Sequence, residues 1–242
     1  MRYILLTAAL ALCASAFGAT GVSPVAEDFE KTLCGTMPKD WWLMNRQLPT
    51  NCFRYVSNVQ AVSGEKAFLN DFTGQSLAQR AWRGVGHGYL CHTLPKASND
   101  VLVIRFCFRL EDGKFACEVR GPNAGGGSLQ IPWWIEIGDT VGLKGNGKRG
   151  ENPSVSVGPV RPHAWHRVTF RLPTVGSSET EAEVRLERYL GKGRFEPVGK
   201  PRRVGFGGMR LTGPYSFLAF TGYGKSRYWI DDFACYLEKE KR

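Results

Sequence analysis

The sequence predicts an all-β protein built as a two-sheet antiparallel sandwich. Short runs alternate strictly between apolar and polar residues, as in residues 101–110. Clusters of Gly, Pro, Asn, Asp and Ser punctuate those runs at intervals typical of a sandwich. No long stretch has the 3.6-residue period of an amphipathic helix, and residues 76–83 form the one candidate short helix.

Taken in order, the chain opens with Arg2, an apolar run from Tyr3 to Leu12, and the small residues Ala14, Ser15, Ala16, Gly18 and Ala19. That is the layout of a cleaved secretion signal, predicted over residues 1–18, which leaves 19–242 as a single sandwich domain. A membrane-spanning helix needs ~20 apolar residues, so no transmembrane segment is expected. The expected location is therefore secreted, periplasmic or at the cell surface. Six of the seven cysteines lie beyond the leader, and an even number in an exported chain predicts disulfides of open connectivity. None forms a C-x-x-C pair, which argues against a zinc ribbon or a thioredoxin-type dithiol.

Residues 54–62 and 67–71 read as strands around a Ser63-Gly64-Glu65 turn. In 101–110, Leu102, Ile104, Phe106, Phe108 and Leu110 share one face. Asp112-Gly113 predicts a tight hairpin that sets Leu110 opposite Phe115 and Phe108 opposite Cys117. The same register turns Cys107 away from Cys117, so these two are not expected to bond. Residues 131–137 send Trp133, Ile135 and Ile137 inward, with Trp134 and Glu136 outward. Residues 167–172 and 181–189 alternate likewise, the latter ending at Gly191-Lys192-Gly193. Two separate strands, 215–221 and 227–237, close the chain, and the glycine-rich stretches 121–128 and 142–150 read as loops.

Several short motifs occur in order along the chain: Glu27-Asp28-Phe29-Glu30, Val62-Ser63-Gly64-Glu65-Lys66-Ala67-Phe68-Leu69, Trp165-His166-Arg167-Val168, and Tyr228-Trp229-Ile230-Asp231-Asp232-Phe233. Together they resemble the concanavalin A-like jelly-roll superfamily, with its laminin-G-like domains and sandwich carbohydrate-binding modules. The resemblance implies a jelly-roll sandwich. It also implies a structural Ca2+ between the first and last strands, held by Glu30 and Asp231 with Asp28 and Asp232 as helpers. Strand parity alone puts Trp229, Asp231, Phe233, Cys235 and Leu237 on one face, so Asp231 is the carboxylate expected to point inward. The other reading of Asp231 is a buried acceptor of backbone or side-chain hydrogen bonds.

Enzyme signatures fail on spacing. Glu136 and Asp139 are three apart on a strand and face opposite ways, unlike the paired carboxylates of a retaining glycosidase. Residues 145–150 match G-x-G-x-x-G, but Pro153 and the alternation after it argue for a strand where a dinucleotide site needs a helix. His163 and His166 are likewise split across a strand.

The aromatic residues remain. Adjacent tryptophans cannot both face a core, so one each of Trp41-Trp42 and Trp133-Trp134 is expected outside. Trp134 beside Glu136, Trp42, and Trp82 beside Arg83 are the candidate sugar-binding residues, each a flat apolar ring near a polar group. With 32 basic and 22 acidic residues, a net charge of +10 favours an anionic partner. For an exported chain that partner is an acidic glycan rather than nucleic acid. The expected function is carbohydrate binding without catalysis. The alternatives are a glycoside hydrolase or polysaccharide lyase on the same fold, and a protein-interaction or envelope domain.

Overall fold

The computed structural model describes residues 25–43, 52–74, 89–96, 98–121, 130–145, 153–205 and 211–239. Fourteen strands make up the described chain, and every strand pairing is antiparallel. Two of them are unusually long, β6 (Asp100–Gly121) and β14 (Phe217–Lys239), and they pair with each other almost end to end. Each bends midway, so one half lies in each layer of the sandwich.

The first layer, the β10 sheet, contains β10 (Trp165–Pro173), β11 (Glu181–Gly191), β12 (Arg194–Pro197) and β13 (Arg202–Gly205) on one side of β6. On its far side, β14 carries β4 (Ala67–Asp71), β3 (Phe53–Ser57) and β1 (Val25–Glu27). The second layer, the β7 sheet, runs from β9 (Ser154–Pro159) through β8 (Thr140–Gly145) and β7 (Gln130–Ile137) to the other half of β6. It then crosses β14 to β5 (Tyr89–Thr93) and β2 (Trp41–Leu43).

The core forms where the alternating faces meet. Ile104, Phe106, Phe108, Val168, Phe170, Val184 and Leu186 from the β10 sheet pack against Trp133, Ile135, Leu143, Leu218 and Phe220 from the β7 sheet. Phe106 meets Phe220 across the layers edge to face, with ring centroids 4.9 Å apart, a geometry that aromatic quadrupoles favour. Trp133 donates Nε1–H to the Tyr215 hydroxyl at 3.1 Å, and Tyr215 donates to the Pro173 carbonyl at 2.6 Å. That chain satisfies two buried polar groups and ties the layers together. The jelly-roll sandwich expected from the sequence is thus the fold, and the inward assignments of 101–110, 131–137, 167–172 and 181–189 hold.

Three expectations are corrected. Asp112-Gly113 does not make a hairpin; β6 runs straight through it, and Phe108 lies opposite Ile230 and His166 while Cys117 lies opposite Phe220 and Ile135. The Asp-Gly signal marks a bend instead, with Gly113 at φ +68°. For the same reason 215–221 and 227–237 belong to one strand. No disulfide joins the six cysteines. Cys117 and Cys235 lie in the main core, Cys107 in a smaller outer cluster and Cys91 under the outer face of the β7 sheet, while Cys34 is exposed. The buried thiols act as small apolar groups. The leader at 1–18, the candidate helix at 76–83 and the pair Trp82–Arg83 lie outside the described residues. Among the described residues no helix is long and apolar enough to cross a membrane.

Candidate functional site

Sheet register places two of the candidate tryptophans on one face. Across the outside of the β7 sheet, successive partners run Lys144, Trp134, Glu118, Ala219, Cys91 and Trp42, each on the next strand. Four strand spacings separate Trp134 from Trp42, or about 19 Å. The neighbouring row is Glu136, Ala116 and Thr221. Tryptophans stand at the two ends, and Glu118 with the small residues Ala116, Ala219, Cys91 and Thr221 lies between them.

At one end Trp134 is half-buried, and Glu136 beside it accepts a hydrogen bond from Lys144 Nζ at 2.8 Å with Lys114 Nζ at 3.7 Å. The Lys144 hydrogen bond holds the Glu136 carboxyl below its ordinary range despite partial burial. At the other end Trp42 is 37% exposed and rests against the edge of Phe217, centroids 5.8 Å apart. Trp41 turns inward between Phe220 and Phe233. The expected split of both Trp-Trp pairs is therefore seen. Between the ends, Ala116, Ala219, Cys91 and Thr221 are buried, and Glu118 is tied to Arg120 at 2.5 Å.

The carboxylate seam has a different geometry from the one parity suggested. A β-bulge shifts the β6–β14 register between Asp231 and Ala234, with Asp232 at φ +46°. The bulge moves the strand out of phase. Trp229 and Asp231 therefore face the outside of the β10 sheet, among Val62, Leu69, Cys107 and Trp165, while Phe233 and Cys235 enter the main core. Asp231 is nonetheless fully buried, because the 62–66 turn folds over it. Its Oδ2 accepts N–H from Val62 at 2.8 Å and Ser63 at 3.3 Å, and its Oδ1 accepts from Asp232 at 2.8 Å. Asp232 Oδ1 takes the Ser63 hydroxyl at 2.6 Å. At the other end of the turn Glu30 Oε1 accepts from Glu65 and Lys66 N–H at 2.9 and 2.8 Å, while Asp28 accepts from the Glu30 N–H. Glu30 and Asp231 thus grip opposite ends of one turn.

Lys66 completes that grip from the other side: its ammonium donates to the carbonyls of Glu30 at 2.8 Å and Thr32 at 3.1 Å. Burial, then the neighbouring Asp232 charge, pushes the Asp231 carboxyl up to about 8, and the three N–H donors only partly offset this. Among the described residues no group of three or more His, Cys, Asp or Glu could hold a metal ion.

His166 proves to be a packing residue, stacked on Phe108 at 5.3 Å with its neutral form favoured by burial. Residues 142–145, read from the sequence as part of a glycine-rich loop, instead form the end of β8, where they pair with β7, and 146–150 lie outside the described residues.

The sequence reading missed a cavity of about 480 Å³ on the outer face of the β10 sheet, lined in part by Arg167, Arg171, Arg185, Glu187, Tyr236 and Glu238. Alternation at 167, 169 and 171 was legible. Which strands lie beside it was not, and only pairing brings these residues together.

Neither a family model nor a curated protein matches the chain. Solved structures share its fold. An endo-β-1,4-glucuronan lyase from the fungus Trichoderma reesei superposes with a TM-score of 0.56 at 12% identity, over 84% of this chain and 93% of that one. The cellulose-induced protein Cip1 gives 0.53 at 14% identity, over 90% and 98%. An alginate lyase from Aplysia kurodai gives 0.53 at 10% identity, over 76% and 87%. At such identities the likeness concerns the sandwich alone.

Proposed function

We propose that this chain is an exported carbohydrate-binding sandwich that holds a glycan, without cleaving it, on the outer face of the β7 sheet. The observation that carries the reading is the placement of Trp134 and Trp42 on one row of that face, with Glu136 set beside Trp134. A pyranose ring offers C–H groups to a flat indole and hydroxyls to a fixed carboxylate. The fold neighbours that act on or respond to polysaccharides support the same class of ligand. Binding without cleavage is favoured because Glu118 and Glu136 are both ion-paired, whereas a general acid needs a carboxyl kept protonated.

Trp134→Ala should weaken binding to a panel of neutral oligosaccharides about tenfold, the worth of one lost stacking contact of roughly 1.4 kcal/mol. Calorimetry or a glycan array reads this directly. Undiminished binding by a folded Trp134→Ala protein would sink the proposal, as would release of new reducing or unsaturated ends.

The Ca2+ implied by the resemblance is a separate proposal, with Glu30, Asp231, Asp28 and Asp232 as its carboxylates. The present arrangement suits it poorly. Both Asp231 oxygens and Glu30 Oε1 already accept five hydrogen bonds between them, and the Lys66 ammonium sits on the carbonyls that would complete a six- to eight-oxygen shell. The expected result is that melting with and without EDTA coincides. A drop of several degrees in EDTA, reversed by added Ca2+, would establish the ion.

A further inference from the structure

The cavity on the β10 sheet has an unusual arrangement of charge. Thr169 lies at its floor, on β10. Along that strand Arg167 and Arg171 flank it two residues away on the same face, and its register partners on β6 and β11 are Arg105 and Arg185. Thr169 thus has four arginines as neighbours, two along the strand and one on each side. Arg167, Arg171 and Arg185 line the cavity, and Arg105 is the register partner on the next strand. Strand geometry puts each Cα within about 5–7 Å of that of Thr169.

A purely solvated sheet face places opposite charges across neighbouring strands, because like charges directly opposite destabilise the pair. Such pairing does occur at the rim: Arg167 opposes Glu187, and Arg171 opposes Glu183. The central row breaks the rule, reading Arg105, Thr169, Arg185 with no carboxylate in it.

The rim carboxylates hold the arginines in place. Arg167 gives Nε and Nη2 to Glu187 at 2.7 and 2.8 Å, and Arg185 gives the same two groups to Glu183 at 2.7 and 2.6 Å. Both keep Nη1 for another acceptor. Arg171 reaches Glu238 through Nη2 at 3.1 Å, and its buried Nε–H has no partner. Arg105 makes no ion pair among the described residues. Tyr236 and Val103 add an apolar wall, and the volume of about 480 Å³ lies in the range of small-ligand sites.

We propose that this cavity is a second binding site, for an anionic saccharide, with a carboxylate or sulfate group held over Thr169 by Arg167, Arg171 and Arg185, which line it, and by Arg105, the partner of Thr169 on the next strand. Glu187 and Glu238 also line it. They would repel a densely charged phosphodiester backbone, yet they can accept hydrogens from sugar hydroxyls. That mixture favours a uronate or sulfated sugar over nucleic acid. The site lies on the sheet opposite the Trp134 platform and does not depend on it.

The test is calorimetric titration of the full chain with uronate, sulfated and neutral tetrasaccharides, and with a DNA oligonucleotide of matched charge. The proteins are the natural chain, Thr169→Glu, Arg105→Gln and Trp134→Ala. Thr169→Glu puts a carboxylate where the ligand's anion would sit. It should weaken the anionic tetrasaccharide at least ~10-fold, and Arg105→Gln ~3-fold or more, in line with the loss of a charge-assisted contact. Trp134→Ala should leave this binding unchanged, and the neutral sugar should not respond to either cavity variant. Should Thr169→Glu fail to melt cooperatively, Arg105→Gln carries the test alone. The proposal is overturned if no anionic tetrasaccharide binds, if folded cavity variants bind it normally, or if DNA binds as tightly with the same sensitivity. Loss in Trp134→Ala with normal cavity variants would leave the β7-sheet platform standing and remove only this site.

Discussion

Replacing Gly113 by alanine should cost about 3 kcal/mol of stability or more, among the larger effects a single residue can have outside the core. Gly113 sits where β6 bends from one layer into the other, at φ +68°. A Cβ there would meet the Lys225 carbonyl oxygen at 2.0 Å, and its carbonyl carbon and the Ser226 Cα at 3.0 Å. All three atoms are backbone of the β14 bend, so no flexible side chain can swing aside. Relief requires moving one long strand off the other, at the point where both change layers. Gly191 provides the control. Its φ is +91° but nothing lies within 4 Å of an added Cβ, so alanine there should cost only about 1 kcal/mol, the conformational part alone. Chemical denaturation of the two variants separates these terms, and equal losses would mean that the close approach at Gly113 is not what holds the bend.

Stability should fall as pH rises from about 5 to 8, and Asp231→Asn should flatten that slope. The Asp231 carboxyl stands at about 8 in the folded protein against an ordinary 3.8, through burial first and the Asp232 charge second. Between those values the folded chain keeps a proton that the unfolded chain has released. Since stability rises with pH only where the unfolded state binds more protons, here it must fall, and it levels off above about pH 8. Asp232 is shifted in the same direction. Buried His92 and His166 are shifted downward and act in the opposite sense, losing stability only as pH drops below the ordinary histidine range. The interval from pH 7 to 8.5 is therefore dominated by the aspartates. Melting temperatures across pH 5 to 9 should show a difference between the natural chain and Asp231→Asn worth on the order of 2 kcal/mol. A flat or rising profile in the natural chain would mean that the Val62, Ser63 and Asp232 N–H groups keep Asp231 ionised throughout.

Both features mark where the sequence could be read and where it could not. Alternation identified the inward residues of β6, β7, β10 and β11 correctly, because burial on one face of a strand leaves a period of two whatever the strand's partners are. The partners themselves left no such trace. Asp112-Gly113 carries the chemistry of a tight turn, yet the positive φ it supplies is equally what a sharp bend in a continuous strand needs. At Asp231-Asp232 a single bulge residue changes phase in mid-strand. Parity counted from Trp229 therefore failed beyond it, although the burial of Asp231 itself was anticipated. The Trp134–Glu136 pair was legible because both lie on one strand. The ring of arginines around Thr169 was not, since Arg105 and Arg185 become its neighbours only through pairings that span much of the chain.

The continuity of β6 and β14 through both layers also bears on how a ligand can reach this protein. Where two sheets are joined only by loops, they can part like the covers of a book and admit a molecule between them. Here the same two backbones run through each layer, so opening the interior would mean tearing the spine. The two proposed sites therefore lie on outward surfaces, which face opposite directions. If both proposed sites hold glycan, one molecule would grip two polysaccharide strands at once and hold them a fixed distance apart.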